Sequence, residues 1–316
     1  MTTSAGERLR RLGQRVSATP FVSEALPRIA ATLGDYGRLM RLDRPIGTFL
    51  LLWPALWALW LASAGQPNPH VFVVFVLGVF LMRSAGCVIN DYADRAIDPH
   101  VRRTRERPIA QGKVAPAEAL VLFVSLALIA LGLVLTLDRK TQQLALVGAV
   151  LTVTYPFFKR FFPIPQMYLG IAFAWSVPMA YVAQAGEISR IGWLLFMAAV
   201  VWTTAYDTMY AMVDREDDLK IGVRSSAVLF GDADRFIIGI MQLMTLLALW
   251  LVGRELTLDG WYLGGLAAAA CFAFYQQWLI RDRVPEKCFR AFLNNNYFGM
   301  AVFIGILLEY VFRPAT

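Results

Sequence analysis

Two acidic stretches carry the residue types and spacing best suited to chemistry in this chain. The first reads Asn90-Asp-Tyr-Ala-Asp94-Arg-Ala-Ile-Asp98 and follows a long apolar segment. Residues four apart share one face of a helix, so Asn90, Asp94 and Asp98 are predicted to form one stripe. Asp91 lies about 100° from Asn90 around the same helix and is a secondary candidate.

The second stretch holds Asp207, Asp214 and Asp218, which fall within an arc of about 40° on a helix. Like charges on one helix face repel each other and carboxylates near lipid are costly, so a cation should offset them. Magnesium suits best, because it prefers hard oxygen ligands and combines carboxylates with substrate phosphates. The predicted metal ligands are Asn90, Asp94, Asp98, Asp214 and Asp218, and the predicted catalytic residues are these four aspartates with Asp91.

For one stretch alone, a solvated helix end paired with nearby arginines explains the acids equally well. Two stretches in phase and at equivalent depth favour a functional site, because ionisable groups inside membranes are usually functional. We therefore predict that the two stretches face each other across one cavity.

Basic residues are dense in the loop that follows the first acidic stretch. Some of them only hold loops on one side of the membrane and contact anionic lipid. Others would clamp phosphate oxygens, and a nearby tyrosine ring could stabilise a cation. The predicted substrate-binding residues are Arg41, Arg44, Arg83, Arg102, Arg103, Arg107, Tyr155, Lys159, Asp207 and Lys220.

Arg83 is a special case, because it lies inside an apolar segment. It precedes Asn90 by seven residues, which places it within about 20° of the same face and about 10 Å deeper. A buried arginine needs an anion, which is either an acid such as Asp91 or an acidic substrate. Arg41 and Arg44 lie just before Pro45, a plausible first-turn residue of a helix, and are also placed to contact a carboxylate.

Composition indicates the kind of fold that positions these residues. Of 316 residues, 58% are hydrophobic and 17% are charged, with a mean hydropathy of +0.53. Soluble domains carry about a quarter charged residues, and a membrane span needs about 20 apolar residues. The sequence predicts an all-α integral membrane protein with about nine transmembrane helices around a central cavity. The predicted spans are 46–64, 71–90, 117–137, 142–158, 166–184, 191–211, 234–253, 259–280 and 291–311.

Charge distribution predicts the orientation. With nine spans, most of the 30 Lys and Arg residues lie in segments on the side of the N-terminus. The positive-inside rule then places the N-terminus in the cytoplasm and the C-terminus in the periplasm. Residues 1–37 are predicted to be a cytosolic arginine-rich extension, and residues 38–316 a single membrane domain. Both acidic stretches end on the cytoplasmic side.

The same counts argue against several classes of protein. Three separated cysteines and two histidines suggest neither a disulfide framework nor a zinc site. The net charge of +7 is explained by loop asymmetry, so no nucleic acid partner is expected. An ion-coupled membrane transporter remains an alternative, although its acids usually lie near the midplane in broken helices.

Five motifs resemble those of the UbiA superfamily of intramembrane aromatic prenyltransferases, from about residue 38 to the C-terminus. The motifs lie at 39–47, 90–98, 103–108, 155–160 and 206–218. The segments Arg44-Pro-Ile-Gly47 and Tyr206-Asp-Thr-Met-Tyr-Ala-Met-Val-Asp214 are most similar to members that prenylate 4-hydroxybenzoate in ubiquinone biosynthesis.

The resemblance implies nine helices around a cavity, two Mg²⁺ ions, a polyprenyl diphosphate donor and 4-hydroxybenzoate as acceptor. In the family, the acidic motifs bind magnesium diphosphate. The implied location is the cell inner membrane, in contact with lipid, with the active site toward the cytoplasm and no obligatory protein partner. Naphthoate, homogentisate and haem are the alternative acceptors. The proton released from the ring would go to diphosphate or to Asp91.

Overall fold

The computed structural model describes residues 20–312, apart from 102–103, 159–161, 163 and 223. Within these residues the fold is all-helical, as predicted. The α-helices are α1 (Pro20–Leu39), α2 (Ile46–Ala62), α3 (Pro69–Asp94), α4 (Pro116–Val134), α5 (Arg139–Phe158), α6 (Pro165–Ala174), α7 (Ser176–Ala185), α8 (Arg190–Ile221), α9 (Ser226–Phe230), α10 (Asp234–Glu255), α11 (Gly260–Ile280) and α12 (Pro285–Phe312).

Five helical segments of the described chain are long and apolar enough to cross a membrane. They are α3, α4, the segment Ser226–Glu255 that contains α9 and α10, α11 and α12. Helix α2 is a shorter apolar helix. The protein is therefore a multi-pass membrane protein, whereas the count of nine spans and the orientation of the termini stay predictions.

The predicted span 166–184 is divided into α6 and α7 at Trp175. Pro178 explains the interruption, because it has no N–H to donate to the carbonyl of Ala174, and its ring crowds that carbonyl. Neither of the two short helices is by itself long enough to span a membrane. Helix α8 is longer than its predicted span 191–211 and includes the whole second acidic stretch.

The interior between α2, α8 and α12 is filled by aromatic side chains. Trp57, Trp202 and Phe298 are each no more than 1% exposed. The ring centroids of Trp57 and Trp202 are 5.2 Å apart, and those of Trp202 and Phe298 are 5.5 Å apart. Rings of this size at these distances contribute about 0.5–1.5 kcal/mol per pair beyond their buried area. This packing fixes α8, which carries the second acidic stretch.

Three consecutive asparagines in α12 connect it to three other helices. Each side-chain oxygen accepts one hydrogen bond: Asn294 from Gln276 at 3.0 Å, Asn295 from Trp202 at 3.0 Å, and Asn296 from Trp53 at 2.9 Å. Polar side chains between membrane helices contribute about 0.6 kcal/mol each on average. They fix the rotation of α12 against its neighbours.

The predicted boundary between residues 37 and 38 falls inside α1, while residues 1–19 lie outside the described part. The end of α1 packs on the membrane domain, since Leu39 is fully buried and the hydroxyl of Tyr36 donates to Glu118 at 3.3 Å. The division into an extension and a membrane domain stays a prediction.

Candidate active site

A cavity of about 990 Å³ lies between the helix ends that carry the two acidic stretches. Its wall is mostly apolar, and the polar minority includes eight of the residues singled out from the sequence. These are Arg41, Arg44, Arg83, Asn90, Asp91, Arg107, Tyr155 and Asp207. A mostly apolar pocket with a few convergent polar groups is the usual form of a ligand site.

The first acidic stretch is not a single helical stripe, which corrects the sequence prediction. Helix α3 ends at Asp94, and Asp98 begins a short 3₁₀-helix after a turn. Pro99 gives the reason, because a proline disfavours the α-helical conformation in the residue before it. Asp94 and Asp98 nevertheless both lie in the interior, 6% and 4% exposed, behind the cavity wall.

The second acidic stretch lies on one continuous helix, as predicted. Helix α8 runs through it and ends at Gly222, whose φ of +72° is the left-handed conformation that favours glycine. The backbone N–H of Gly222 donates to the carbonyl of Asp218. Asp207 lines the cavity, whereas Asp214 and Asp218 are half-buried nearer the helix end.

The two stretches contribute to the same cavity. Asn90 and Asp91 of the first stretch and Asp207 of the second line it, together with Tyr155 on α5. Asp94, Asp98, Asp214 and Asp218 are not among the lining residues, so a shared metal site that includes them stays a prediction.

Asp91 is bound by two arginines. The Nη2 atom of Arg41 lies 2.9 and 2.8 Å from its two oxygens, and the Nη1 atom of Arg107 lies 2.9 Å from Oδ1. The same Nη1 atom of Arg107 contacts Asp98 at 2.9 Å. Asp91 is therefore not the partner of Arg83, which was one of the alternatives left open by the sequence, because other arginines bind its carboxylate.

Burial raises the pKa of Asp98, and the charges of Asp94 and Asp91 raise it further, while Arg107 opposes the rise. Three buried carboxylates this close together would be stabilised by a divalent cation. Asn90 adds a neutral amide oxygen on the cavity wall. Within the described residues, no three His, Cys, Asp or Glu side chains are already grouped tightly enough to hold a metal. The donor chemistry fits magnesium, which also takes ligands from substrate phosphates.

Arg83 has a different environment from the other arginines. Among the residues that the structure describes, no carboxylate forms an ion pair with it. Its guanidinium lies against Gly47 of α2, where an added Cβ would come within 2.3–2.6 Å of it, and 5.8 Å from the Phe173 ring centroid. It lines the cavity as a cation available to a ligand anion.

The remaining predicted substrate-binding residues divide into two groups. Arg44 is exposed at the cavity edge, 3.6 Å from Asp43, and Lys220 is exposed at the end of α8, 3.6 Å from Asp217. Arg102, Arg103 and Lys159 lie outside the described residues. The substrate-binding role of all five stays a prediction.

Sequence reasoning missed Gly47, Tyr206 and Tyr210, all of which line the cavity. Gly47 belongs to a motif that was noticed, but its contact with Arg83 joins two helices and has no signal in the local sequence. Tyr206 and Tyr210 flank Asp207 on the wall, and their position next to a candidate acid could have identified them.

The fold and the cavity define a class: a helical membrane protein with an apolar cavity that ends in buried carboxylates and arginines. Such a cavity suits an amphipathic anion together with a divalent cation. The family model described as UbiA prenyltransferase family matches residues 51–303. The chain belongs to this family.

Curated relatives match over nearly their full length. Proteins named 4-hydroxybenzoate octaprenyltransferase from Aeromonas salmonicida and Nitrosococcus oceani are each 59% identical over 276 residues, 87% of this chain and 96% and 97% of theirs. One of the same name from Coxiella burnetii is 52% identical over 275 residues, 87% of this chain and 96% of its own.

Solved structures share the fold. A UbiA homolog from Aeropyrum pernix K1 aligns with a TM-score of 0.74 at 24% identity, over 83% of this chain and 97% of that one. A UbiA homolog from Archaeoglobus fulgidus, solved bound to GPP and Mg²⁺, aligns with a TM-score of 0.65 at 16% identity, over 85% and 99%.

Proposed function

We propose that this chain transfers a polyprenyl group from polyprenyl diphosphate to the ring carbon ortho to the hydroxyl of 4-hydroxybenzoate, in ubiquinone biosynthesis. One observation carries the proposal: a single, mostly apolar cavity is lined by members of both acidic stretches (Asn90, Asp91 and Asp207) and by several arginines. The names of the curated relatives support the same reaction.

The donor needs a polar place for its diphosphate and an apolar place for its chain. Asp94, Asp98, Asp214, Asp218 and Asn90 are the proposed ligands of Mg²⁺, which would neutralise the negative charge of the diphosphate. Arg107 reaches the same region, and its Nε and Nη2 atoms make no hydrogen bond to any residue of the described chain. Arginine is well suited to bind phosphate oxygens through a fork of N–H donors.

The prenyl chain has a lateral route to the lipid. Leu128 on α4 and Leu146 on α5 line the cavity and are 61% and 69% exposed. We infer that the cavity opens between these two helices, where apolar side chains suit lipid. A chain too long for 990 Å³ would extend through this opening.

Arg83 is proposed to bind the carboxylate of the acceptor. It lies on the cavity wall about two helical turns from Asn90, next to the Phe173 ring. A charge-assisted pair between arginine and carboxylate would orient the ring so that the carbon ortho to its hydroxyl faces the donor. Asp207 and Tyr155 line the same cavity, and we propose that they contact the ring hydroxyl.

In the reaction, the allylic C–O bond breaks and its electron pair stays on the diphosphate oxygen. The ring carbon then forms the new C–C bond with the allylic carbon, and that ring carbon loses its proton. Asp91 is poorly placed to accept it, because its oxygens already bind Arg41 and Arg107. We assign the proton to the departing diphosphate. The apolar wall excludes water from the allylic cation.

The proposed location is the cell inner membrane, with the cavity mouth toward the cytoplasm. The mouth is rich in arginine, which agrees with the positive-inside rule. An ion-coupled transporter is a weaker proposal, because the acids lie at helix ends and not near the middle of broken helices.

The test is an assay of purified protein in lipid nanodiscs with geranyl diphosphate, Mg²⁺ and 4-hydroxybenzoate. We expect release of diphosphate and a product heavier than the acceptor by one geranyl group less one hydrogen, and loss of both on adding EDTA. Naphthoate, homogentisate and haem acceptors are offered in parallel. Preference for one of them would replace the acceptor assignment, and absence of diphosphate release with every acceptor would refute the proposed reaction.

A further inference from the structure

Asp91 is nearly fully buried and lies in a charged environment. It is 1% exposed, and both of its oxygens receive hydrogen bonds from arginine. The two arginines come from different segments, Arg41 from the turn between α1 and α2, and Arg107 from the loop before α4. One buried carboxylate therefore holds together three segments at the cavity mouth.

The backbone of Arg41 shows that this contact constrains the turn. Arg41 has a φ of +60°, in the left-handed region that residues other than glycine rarely adopt. Its Nη1 atom also donates to the carbonyl of Arg38 at 2.8 Å, so the guanidinium is fixed at both ends. Strained backbone of this kind persists only where surrounding contacts hold it, and it is concentrated at ligand sites.

The two arginines differ in the donors that they have left. In the described structure Arg41 donates through both Nη atoms, to Asp91 and to the carbonyls of Arg38 and Leu39, which leaves its Nε. Both arginines line the cavity, with side chains 20% and 17% exposed. Arg107 uses only Nη1 in its contacts with Asp91 and Asp98, which leaves the rest of its fork directed elsewhere. A phosphate oxygen is the anion that such a planar fork binds best.

We propose that Asp91 is a positioning residue, which orients Arg41 and Arg107 so that the Nε of Arg41 and the Nε and Nη2 of Arg107 receive the diphosphate of the prenyl donor. This inference rests on the proposed function, and it adds Arg41 to the donor site. Asp91 itself does not touch the reacting atoms, and it serves neither as proton acceptor nor as metal ligand.

A matched control exists elsewhere in the molecule. Asp234 is fully buried and accepts from Arg283 at 2.8–3.1 Å, and Arg283 also has a left-handed backbone, with a φ of +54°. Neither of these two residues lines the cavity. Asp234 also pairs with Arg215 of α8 at 3.3 Å, and Asp234→Asn therefore removes a comparable buried contact at a position outside the cavity lining.

The experiment measures binding of radiolabelled inorganic diphosphate with Mg²⁺ to the full chain in nanodiscs, together with KM for geranyl diphosphate and for 4-hydroxybenzoate. We expect Asp91→Asn to weaken diphosphate binding and raise the donor KM by about tenfold, with the acceptor KM changed less than about twofold. Arg41→Gln should do the same. The double variant should lose less than the sum of the two single losses, because both changes affect the contact between Asp91 and Arg41.

Two results would overturn the inference. One is unchanged diphosphate binding in Asp91→Asn with a large fall in kcat, which would make Asp91 a catalytic group. The other is an equal loss in Asp234→Asn, which would make the effect one of general stability. If Asp91→Asn does not fold, Arg41→Lys and Arg107→Lys keep the charge but lose the fork, and unaltered diphosphate binding in both refutes the inference. Diphosphate binding without any prenyl transfer by the wild type would refute only the proposed function.

Discussion

Two buried aspartates in this protein make similar ion pairs in different surroundings. Asp91 and Asp234 are 1% and 0% exposed, and each binds an arginine whose backbone is left-handed, Arg41 or Arg283. The first pair lines the cavity. The second pair joins the start of α10 to the turn before α12, and neither of its residues lines the cavity.

The difference teaches that a buried ion pair and a strained arginine do not by themselves identify a functional site. Buried pairs are weak evidence for net stability, and breaking one by removing a single partner is costly. What distinguishes the Asp91 pair is its position on a cavity wall beside the acidic helix ends. The following changes test this comparison, from the largest expected effect to the smallest.

Removing a carboxylate of either acidic helix end should have the largest effect. We expect Asp94→Ala and Asp214→Ala each to lower kcat by at least about 10³-fold, because the charge on the departing diphosphate would lose its metal. Initial rates of diphosphate release check this, and the variants should remain folded in membranes. Near-normal activity in either one would refute its assigned role.

Asp234→Ala should cost stability and leave the site intact. It leaves Arg215 and Arg283, whose side chains are 25% and 33% exposed, without their carboxylate partner, and solvent keeps the cost below about 3 kcal/mol, the value for a fully buried pair. The loss should appear as a lower midpoint of unfolding in nanodiscs. Donor and acceptor KM of the folded fraction should be unchanged. A raised donor KM would mean that this second pair also positions the site.

Gly47→Ala should weaken acceptor binding about tenfold. The Cβ of the new alanine would lie 2.3–2.6 Å from atoms of the Arg83 guanidinium, and would therefore displace it. The side chain of Arg83 is flexible, so folding should be little affected. The check is the KM for 4-hydroxybenzoate against that for geranyl diphosphate. Gly264→Ala in α11 is the matched control, since its Cβ would meet nothing within 4 Å. Equal behaviour of the two variants would argue against the acceptor role of Arg83.

Lys220→Ala should have the smallest effect. Lys220 is exposed and 3.6 Å from Asp217, and exposed pairs of this kind contribute about 0–1 kcal/mol. We expect the donor KM to rise by less than about twofold, and the change to vanish at high salt. A rise of tenfold or more would place Lys220 in direct contact with diphosphate.

Much of the candidate site could be predicted from the sequence, because its acids interrupt apolar segments at helical spacing. Asn90 and Asp207 both line the cavity. The position of Asp98 was predicted wrongly, although Pro99 is the local reason for the end of α3 and was visible in the sequence. The division of the span 166–184 at Trp175 has the same kind of cause in Pro178.

Other features depended on contacts between distant parts of the chain. Arg41 and Asp91 are 50 residues apart, and no local pattern indicates that they bind. The sequence alone had left Asp91 open as a proton acceptor and as the partner of Arg83. Only the packing of the turn before α2 against the end of α3 assigns it to other arginines.

The sequence by itself determined the class of the protein, because apolar length and the cost of charge in lipid restrict what such a chain can form. It also determined which residue types are available for magnesium and diphosphate chemistry. The tertiary structure decided which charges neutralise each other and which remain available to a ligand. The reason is physical: an ion pair depends on distances of about 3 Å between atoms, and only packing sets those distances.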